Sequence, residues 1–100
     1  MERDDIAVVE LDQAGQLHVI PSQRSFPYIY REAMEVHWDP QLGSLHSPVP
    51  REWSYQRWFQ QILSAALAQG CELVVAPSTE WRNVAPGIKA EVLQLVGHGA

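Results

Sequence analysis

The sequence is poor in cysteine. Cys71 is the only one in 100 residues, so no internal disulfide can form, which is the usage expected of a reducing compartment. Basic residues are also few. Arg3, Arg24, Arg31, Arg51, Arg57, Arg82 and Lys89 stand against 12 acidic residues, for a formal net charge of −5. The seven cations are scattered along the chain, whereas a phosphate backbone is bound by clustered Lys and Arg. Nucleic acid is therefore not an expected partner. No apolar run approaches the roughly 18 residues of a membrane span. The opening Met1-Glu2-Arg3-Asp4-Asp5 also lacks the positive start and long apolar stretch of a secretory signal. These features lead us to expect a cytoplasmic protein with no membrane partner. A Gly-rich phosphate loop, a serine nucleophile elbow and a His-Glu-x-x-His helix are all missing, so no motif assigns an activity or requires a cofactor.

What is present is globular. The apolar fraction is 46% and the charged fraction 19%, outside the composition of disordered chains. Length predicts one α+β domain over residues 1–100, with residues 1–4 and 98–100 frayed. The acidic balance would suit a basic protein partner.

Periodicity gives the elements. Ile6 to Leu11 and Leu17 to Ile20 flank Asp12-Gln13-Ala14-Gly15 and predict a β-hairpin. Tyr28 to Trp38 alternates, with Tyr28, Tyr30, Glu32, Met34, Val36 and Trp38 on one face, and predicts a long half-buried strand. A helix over Arg31–Glu35 competes with it. Asp39-Pro40-Gln41-Leu42-Gly43 is a turn, after which Ser44–Ser47 has the length of a short returning strand. Arg51 to Gln69 contains no Gly or Pro. Tyr55, Trp58, Phe59, Ile62, Ala66 and Gln69 form a stripe that predicts a helix of about five turns, starting from Pro50 and closed by Gly70. Glu72–Ala76 predicts a short strand, Pro77 to Trp81 a loop or helical turn, and Pro86 the start of a last helix ended by Gly97. The order β-β-β-(β)-α-β-α describes a three- to five-stranded, mostly antiparallel sheet with a long helix on one face and a C-terminal helix.

Four groups of residues have chemical potential. If Pro40 to Gly43 form the loop, His37 faces His46 across the hairpin and shares a polar face with Glu35. Two imidazoles and a carboxylate are a zinc-type ligand set, and zinc is the one alternative to a protein without cofactor. The run Trp53-Ser54-Tyr55-Gln56-Arg57-Trp58-Phe59 is dense in aromatics. Placed in the helix, Trp53 lies about 160° from Tyr55, off the core stripe. Trp53, Arg57 and Trp81 are thus candidate interface anchors, since Trp and Arg are enriched at binding hot spots. The competing placement folds Trp53 onto the Pro48–Pro50 loop. Glu32, on the apolar face of the long strand, is a candidate acid or base. Cys71, between a helix and an apolar strand, reads as a buried thiol rather than a nucleophile.

Two resemblances bear on function. Val36-His37-Trp38-Asp39-Pro40, a loop, a helix and then Ala68-Gln69-Gly70-Cys71-Glu72-Leu73-Val74-Val75 resemble in succession the middle of GCN5-related acetyltransferases. The Gly-rich Gln/Arg-x-x-Gly-x-Gly/Ala loop that cradles coenzyme A in that family has no counterpart in Leu42 to Pro50, so no residues are carried over. Tyr28-Ile29-Tyr30-Arg31 through Pro50-Arg51-Glu52-Trp53-Ser54-Tyr55 also resembles small bacterial proteins, some of them carried on mobile cassettes, and implies no activity. The leading expectation is a non-enzymatic binding protein, a homodimer or a binder of a basic protein in the manner of immunity proteins or antitoxins. A metal-dependent or acetyltransferase-like enzyme is the alternative.

Overall fold

A computed structural model describes residues 2–50 and 52–96. Five strands form one sheet: β1 (Glu2–Leu11), β2 (Leu17–Pro21), β3 (His37–Asp39), β4 (Ser44–His46) and β5 (Cys71–Arg82), in the order β3-β4-β2-β1-β5. Helix α1 (Tyr55–Ala68) packs on the sheet, and α2 (Pro86–Val96) packs against α1 and β5. The α+β order is the one expected from the sequence. The sheet is mixed, however, because β5 runs parallel to β1 while the other three pairings are antiparallel. A parallel pair needs a crossover. Here α1 carries the chain back, so that Gly70 accepts a hydrogen bond from the Glu2 amide at 3.2 Å and Cys71 pairs with Glu2. That pairing extends β1 back from Ile6 to Glu2, through residues expected to fray. No helix among the described residues is long and apolar enough to cross a membrane.

The core follows from alternation. Ile6, Val9 and Leu11 of β1, Leu17 and Val19 of β2 and Leu45 of β4 are buried in one cluster with Trp58, Phe59, Ile62, Ala65 and Ala66 of α1. The helical stripe of the sequence is thus the face that α1 buries. Gly70 follows the helix with φ +89, the left-handed stop that glycine adopts without strain.

Three elements differ from expectation. Tyr28 to Val36 is not a strand. Ile29–Arg31 is a 3₁₀ turn, and only His37–Asp39 is extended. The buried residues are Ile29 and Val36, with Ala33 half-buried between them. These spacings of four and three are a helical period. The aromatic alternation that imitates a strand instead points Tyr28, Tyr30 and Met34 into solvent.

Helix α1 begins at Tyr55, not at Arg51, because Ser54 is its N-cap: the Ser54 side chain accepts from the Arg57 amide at 3.2 Å. A capping hydroxyl fixes the first turn more firmly than a proline four residues earlier.

Strand β5 does not end at Ala76. It continues to Arg82 through a bulge in which two steps along β1, Ile6 to Val8, answer five along β5, Val75 to Glu80. Thr79 holds this bulge. Its Oγ1 donates to the Ile6 carbonyl at 2.6 Å and accepts from the Ala76 amide at 2.9 Å. Pro77 lies inside the bulge, where a strand tolerates it.

The expected end of α2 at Gly97 and the fraying of residues 98–100 lie outside the described residues.

Candidate functional site

The β3–β4 hairpin has the register expected from its turn: Asp39 opposite Ser44, Trp38 opposite Leu45, His37 opposite His46. The Asp39 carboxylate accepts from the Gln41 and Leu42 amides at 2.9 and 3.1 Å, an Asx turn that pins the loop. The structure therefore brings His37 and His46 together, ring centroids 5.3 Å apart. Glu35 precedes β3 and lines a cleft beside Trp53 instead. Among the described residues, no group of three His, Cys, Asp or Glu is placed to hold a metal ion.

The third partner of the pair is one that sequence reasoning missed. His18 of β2 pairs with His46 in register, centroids 5.1 Å apart, and Glu10 and Arg82 extend the same cross-strand row through β1 and β5. Alternation sets the row on the face opposite α1, since its neighbours Leu17, Val19 and Leu45 are core. His18 Nε2 lies 2.8 Å from Asp12 Oδ2, and Nδ1 lies 2.9 Å from Ser44 Oγ. The ring thus bridges the Asp12 carboxylate and the Ser44 hydroxyl, with one nitrogen at hydrogen-bond distance from each. The constellation has the residue types of a nucleophilic triad, but Ser44 is fully buried and His18 nearly so. A substrate has no access to the hydroxyl, so the three act as a polar brace joining β2, β4 and the first turn. Burial works against ionisation of Asp12. The His18 hydrogen bond, the Gln16 and Ala14 amides and the His18 charge outweigh it, and the carboxyl is held below its ordinary range.

Trp53 and Arg57 also meet. Trp53 precedes the N-cap and its indole lies 4.7 Å from that of Trp58, while the Arg57 guanidinium sits 4.3 Å from the Trp53 ring centroid. Trp53 is thus outside the helix that was expected to carry it. It closes over the helix start and lines a cleft with Pro48 and Val49, as in the competing loop placement. Trp81 belongs to another region: it is part of β5, half-buried, with the Lys89 ammonium of α2 5.2 Å from its ring.

Of the remaining candidates, Glu32 is exposed and accepts from Gln69 Nε2, not set on an apolar face. Cys71 is fully buried, as its apolar setting suggested. The stretch from Leu42 to Pro50, where the acetyltransferase resemblance would place a cofactor loop, is the end of the hairpin turn, β4 and a segment outside any helix or strand. Ser47 there accepts from the Leu17 amide at 3.1 Å.

The face that sequence reasoning assigned to the core instead lies in solvent. Tyr28 is 53% exposed, Tyr30 57% and Met34 89%. The two tyrosine rings pack edge-on at 6.5 Å, and Arg31 lies over both at 4.8 and 5.9 Å. The helical spacing of Ile29, Ala33 and Val36 was the sequence signal that could have revealed it.

Comparison with known proteins places the chain. Residues 4–79 match the sequence profile of the integron cassette protein Hfx_Cass5. A solved structure of integron cassette protein Hfx_Cass5, from the mobile metagenome of North West Arm Sewage Outfall, is 52% identical. It aligns over 94% of this chain and 95% of its own, with a TM-score of 0.50. No curated protein matches. The profile runs from Asp4 in β1 to the Thr79 that ties the β5 bulge, through both hairpins and the whole of α1, and the chain belongs to the Hfx_Cass5 family of integron cassette proteins.

Proposed function

We propose that the protein is a non-catalytic interaction protein that binds a basic protein partner through the surface centred on Tyr28, Tyr30, Arg31 and Met34. The observation that carries this reading is the exposure of two tyrosines and a methionine around one arginine within seven consecutive residues. Tyr, Met and Arg are the residue types enriched where proteins meet, and none of the three exposed apolar side chains serves the protein's own core. The net charge of −5 favours a basic partner by steering. Glu35, next in the chain to Met34, lines the cleft that Trp53 borders. Trp81, under Lys89, is left out of the patch.

The test is a photoreactive residue installed at Tyr30 or Met34, with Ser64 on the exposed side of α1 as control. The expected result is an adduct with a positively charged protein, formed from the first two positions only and weakened by added salt. Equal adduct from Ser64, none from any position, or an adduct only with a second copy of this chain would each overturn the reading.

A further inference from the structure

At one edge of the sheet, on the face opposite α1, His37 of β3 and His46 of β4 stand side by side. We infer that this pair chelates a divalent transition-metal ion, Cu(II) most tightly, in an open site whose remaining positions are left to water. The ion site is independent of the protein-interaction surface. It also differs from the set expected from the sequence, since Glu35 lines the Trp53 cleft and has no part in it.

Three observations point to that chemistry. The first is spacing. An ion bonded to one nitrogen of each ring at about 2.0–2.1 Å lies about 3.2 Å from each ring centroid, and bond angles of about 90–110° then set the centroids about 4.5–5.2 Å apart. His37 and His46 stand at 5.3 Å. The pairing that sets this distance is fixed by the Asp39 turn, so the fold holds the two rings at chelating distance before any ion arrives.

The second is the nitrogen on offer. His46 Nδ1 lies 3.2 Å from the Ser47 carbonyl oxygen. A carbonyl only accepts, so Nδ1 carries the hydrogen and the lone pair of the neutral ring is on Nε2. A backbone carbonyl on one imidazole nitrogen is the usual support for a ring that ligates through the other. His37 is exposed, and the hydrogen bonds made by imidazoles among the described residues belong to His18 and His46. The His37 ring therefore turns a nitrogen to an ion without breaking a bond.

The third is the behaviour of the neighbours. His18, 5.1 Å from His46, has both nitrogens engaged by Asp12 and Ser44. It backs the row and gives no bond to the ion. Asp39, two residues from His37 on the same face of β3, adds a negative charge that favours a cation. No third His, Cys, Asp or Glu among the described residues is placed to complete a metal site, so water fills the other positions. Two neutral nitrogens suit a borderline ion rather than Mg(II) or Ca(II), and affinity among the borderline ions peaks at Cu(II).

Cu(II) added to the intact protein at about pH 7.5, where an ordinary imidazole is largely neutral, is the probe. Binding is read as a rise in Tm, and the ligands from the nitrogen splitting in the electron spin resonance spectrum of the bound Cu(II). His37→Asn changes an exposed position and should melt as the parent does without metal. His98→Asn controls for the remaining histidine of the chain.

The expected result is a saturable rise in Tm that EDTA reverses, with a spectrum of two imidazole nitrogens. His37→Asn should bind at least about tenfold more weakly and show one nitrogen fewer. Zn(II) and Ni(II) should bind more weakly than Cu(II), and His98→Asn should bind as the parent does. No saturable rise, undiminished binding by His37→Asn, or binding lost in His98→Asn would overturn the site. A rise of the same size with Mg(II) would overturn ligation by nitrogen.

Discussion

Trp53, one residue before the Ser54 N-cap, packs its indole 4.7 Å from that of Trp58, the fourth residue of α1. This is a hydrophobic staple, in which the residue before the cap and the fourth helical residue fix the angle at which the chain enters the helix. Tyr55 adds a second tether at the same end, its hydroxyl donating to the Gly15 carbonyl of the β1–β2 turn at 2.8 Å. The helix start, the Pro48–Val49 segment and the first hairpin are thereby coupled.

Removing the staple should therefore cost stability. Trp53→Ala is expected to lower the unfolding free energy by about 1–3 kcal/mol, the aromatic pair and part of a large buried area being lost. Trp53→Phe, which keeps a ring against Trp58, should lose less than about 1 kcal/mol. Ser54→Ala should cost about 1 kcal/mol through the helix cap alone. Urea unfolding of the three variants measures this. Equal stability of Trp53→Ala and the parent would mean that Trp53 makes no structural contribution.

The β5 bulge makes a second demand. Thr79 supplies both hydrogen bonds that close it, to the Ile6 carbonyl and the Ala76 amide, and it is buried. Thr79→Val keeps the shape and removes the hydroxyl, leaving a buried carbonyl and an amide unpaired. The expected loss is about 1–3 kcal/mol, with amide exchange at Ala76 accelerated more than exchange in β2. Thr79→Ser should retain most of the stability.

These two features show where sequence reasoning reached and where it stopped. The His37–His46 register was legible because a local device sets it: the Asp39 carboxylate caps its own turn, and turn length then dictates which residues face each other. The α1 stripe was legible because period and burial agree. His18 was not, because its partners come from β4 and from Asp12. Which strand lies beside β2 is decided by the packing of the whole sheet. The Thr79 bulge was hidden for the same reason, its acceptor being 73 residues away. Tyr28 to Val36 misled because exposed aromatics at every second position carry the signature of a strand face, while the smaller set Ile29, Ala33 and Val36 marks the buried side. Trp53 was left between two placements by the sequence, and the Ser54 cap decides between them by starting the helix at Tyr55 and leaving Trp53 beside Pro48 and Val49.

That misreading of Tyr28 to Val36 provides its own test. A strand buried on the tyrosine face would suffer from Met34→Lys and tolerate Ile29→Ala at its solvent face. The structure predicts the reverse. Met34→Lys should change stability by no more than about 0.5 kcal/mol. Ile29→Ala, at a fully buried side chain, should cost about 2–5 kcal/mol. In a 100-residue domain, 1 kcal/mol corresponds to about 4–8 °C in Tm, so thermal melts resolve the difference.

The imidazole row predicts a pH response whose sign is fixed by burial. His46 is held below its ordinary pKa of 6.5, chiefly because burial disfavours the charged ring. The charges of His18 and His37 add to the lowering, while the Ser47 carbonyl, which accepts from His46 Nδ1 at 3.2 Å, and the Asp39 carboxylate oppose it. In the unfolded chain the same ring takes a proton near 6.5, whereas the folded protein keeps it neutral. The unfolded state then binds more protons, and stability falls as pH drops. The contribution is fully present above 6.5 and is lost between that value and the lower folded pKa. Below the folded pKa this residue adds no further slope. Asp12, whose folded pKa is also lowered, acts in a separate window. Its contribution is present above the ordinary 3.8 and is lost as pH falls through the folded value. Urea midpoints followed from roughly pH 8 to about pH 2 should therefore decline in the parent. His46→Gln, which keeps a polar side chain but cannot titrate, should flatten the upper part of that decline and leave the Asp12 window in place. A parent and variant with parallel pH profiles would show that His46 is as easily protonated folded as unfolded.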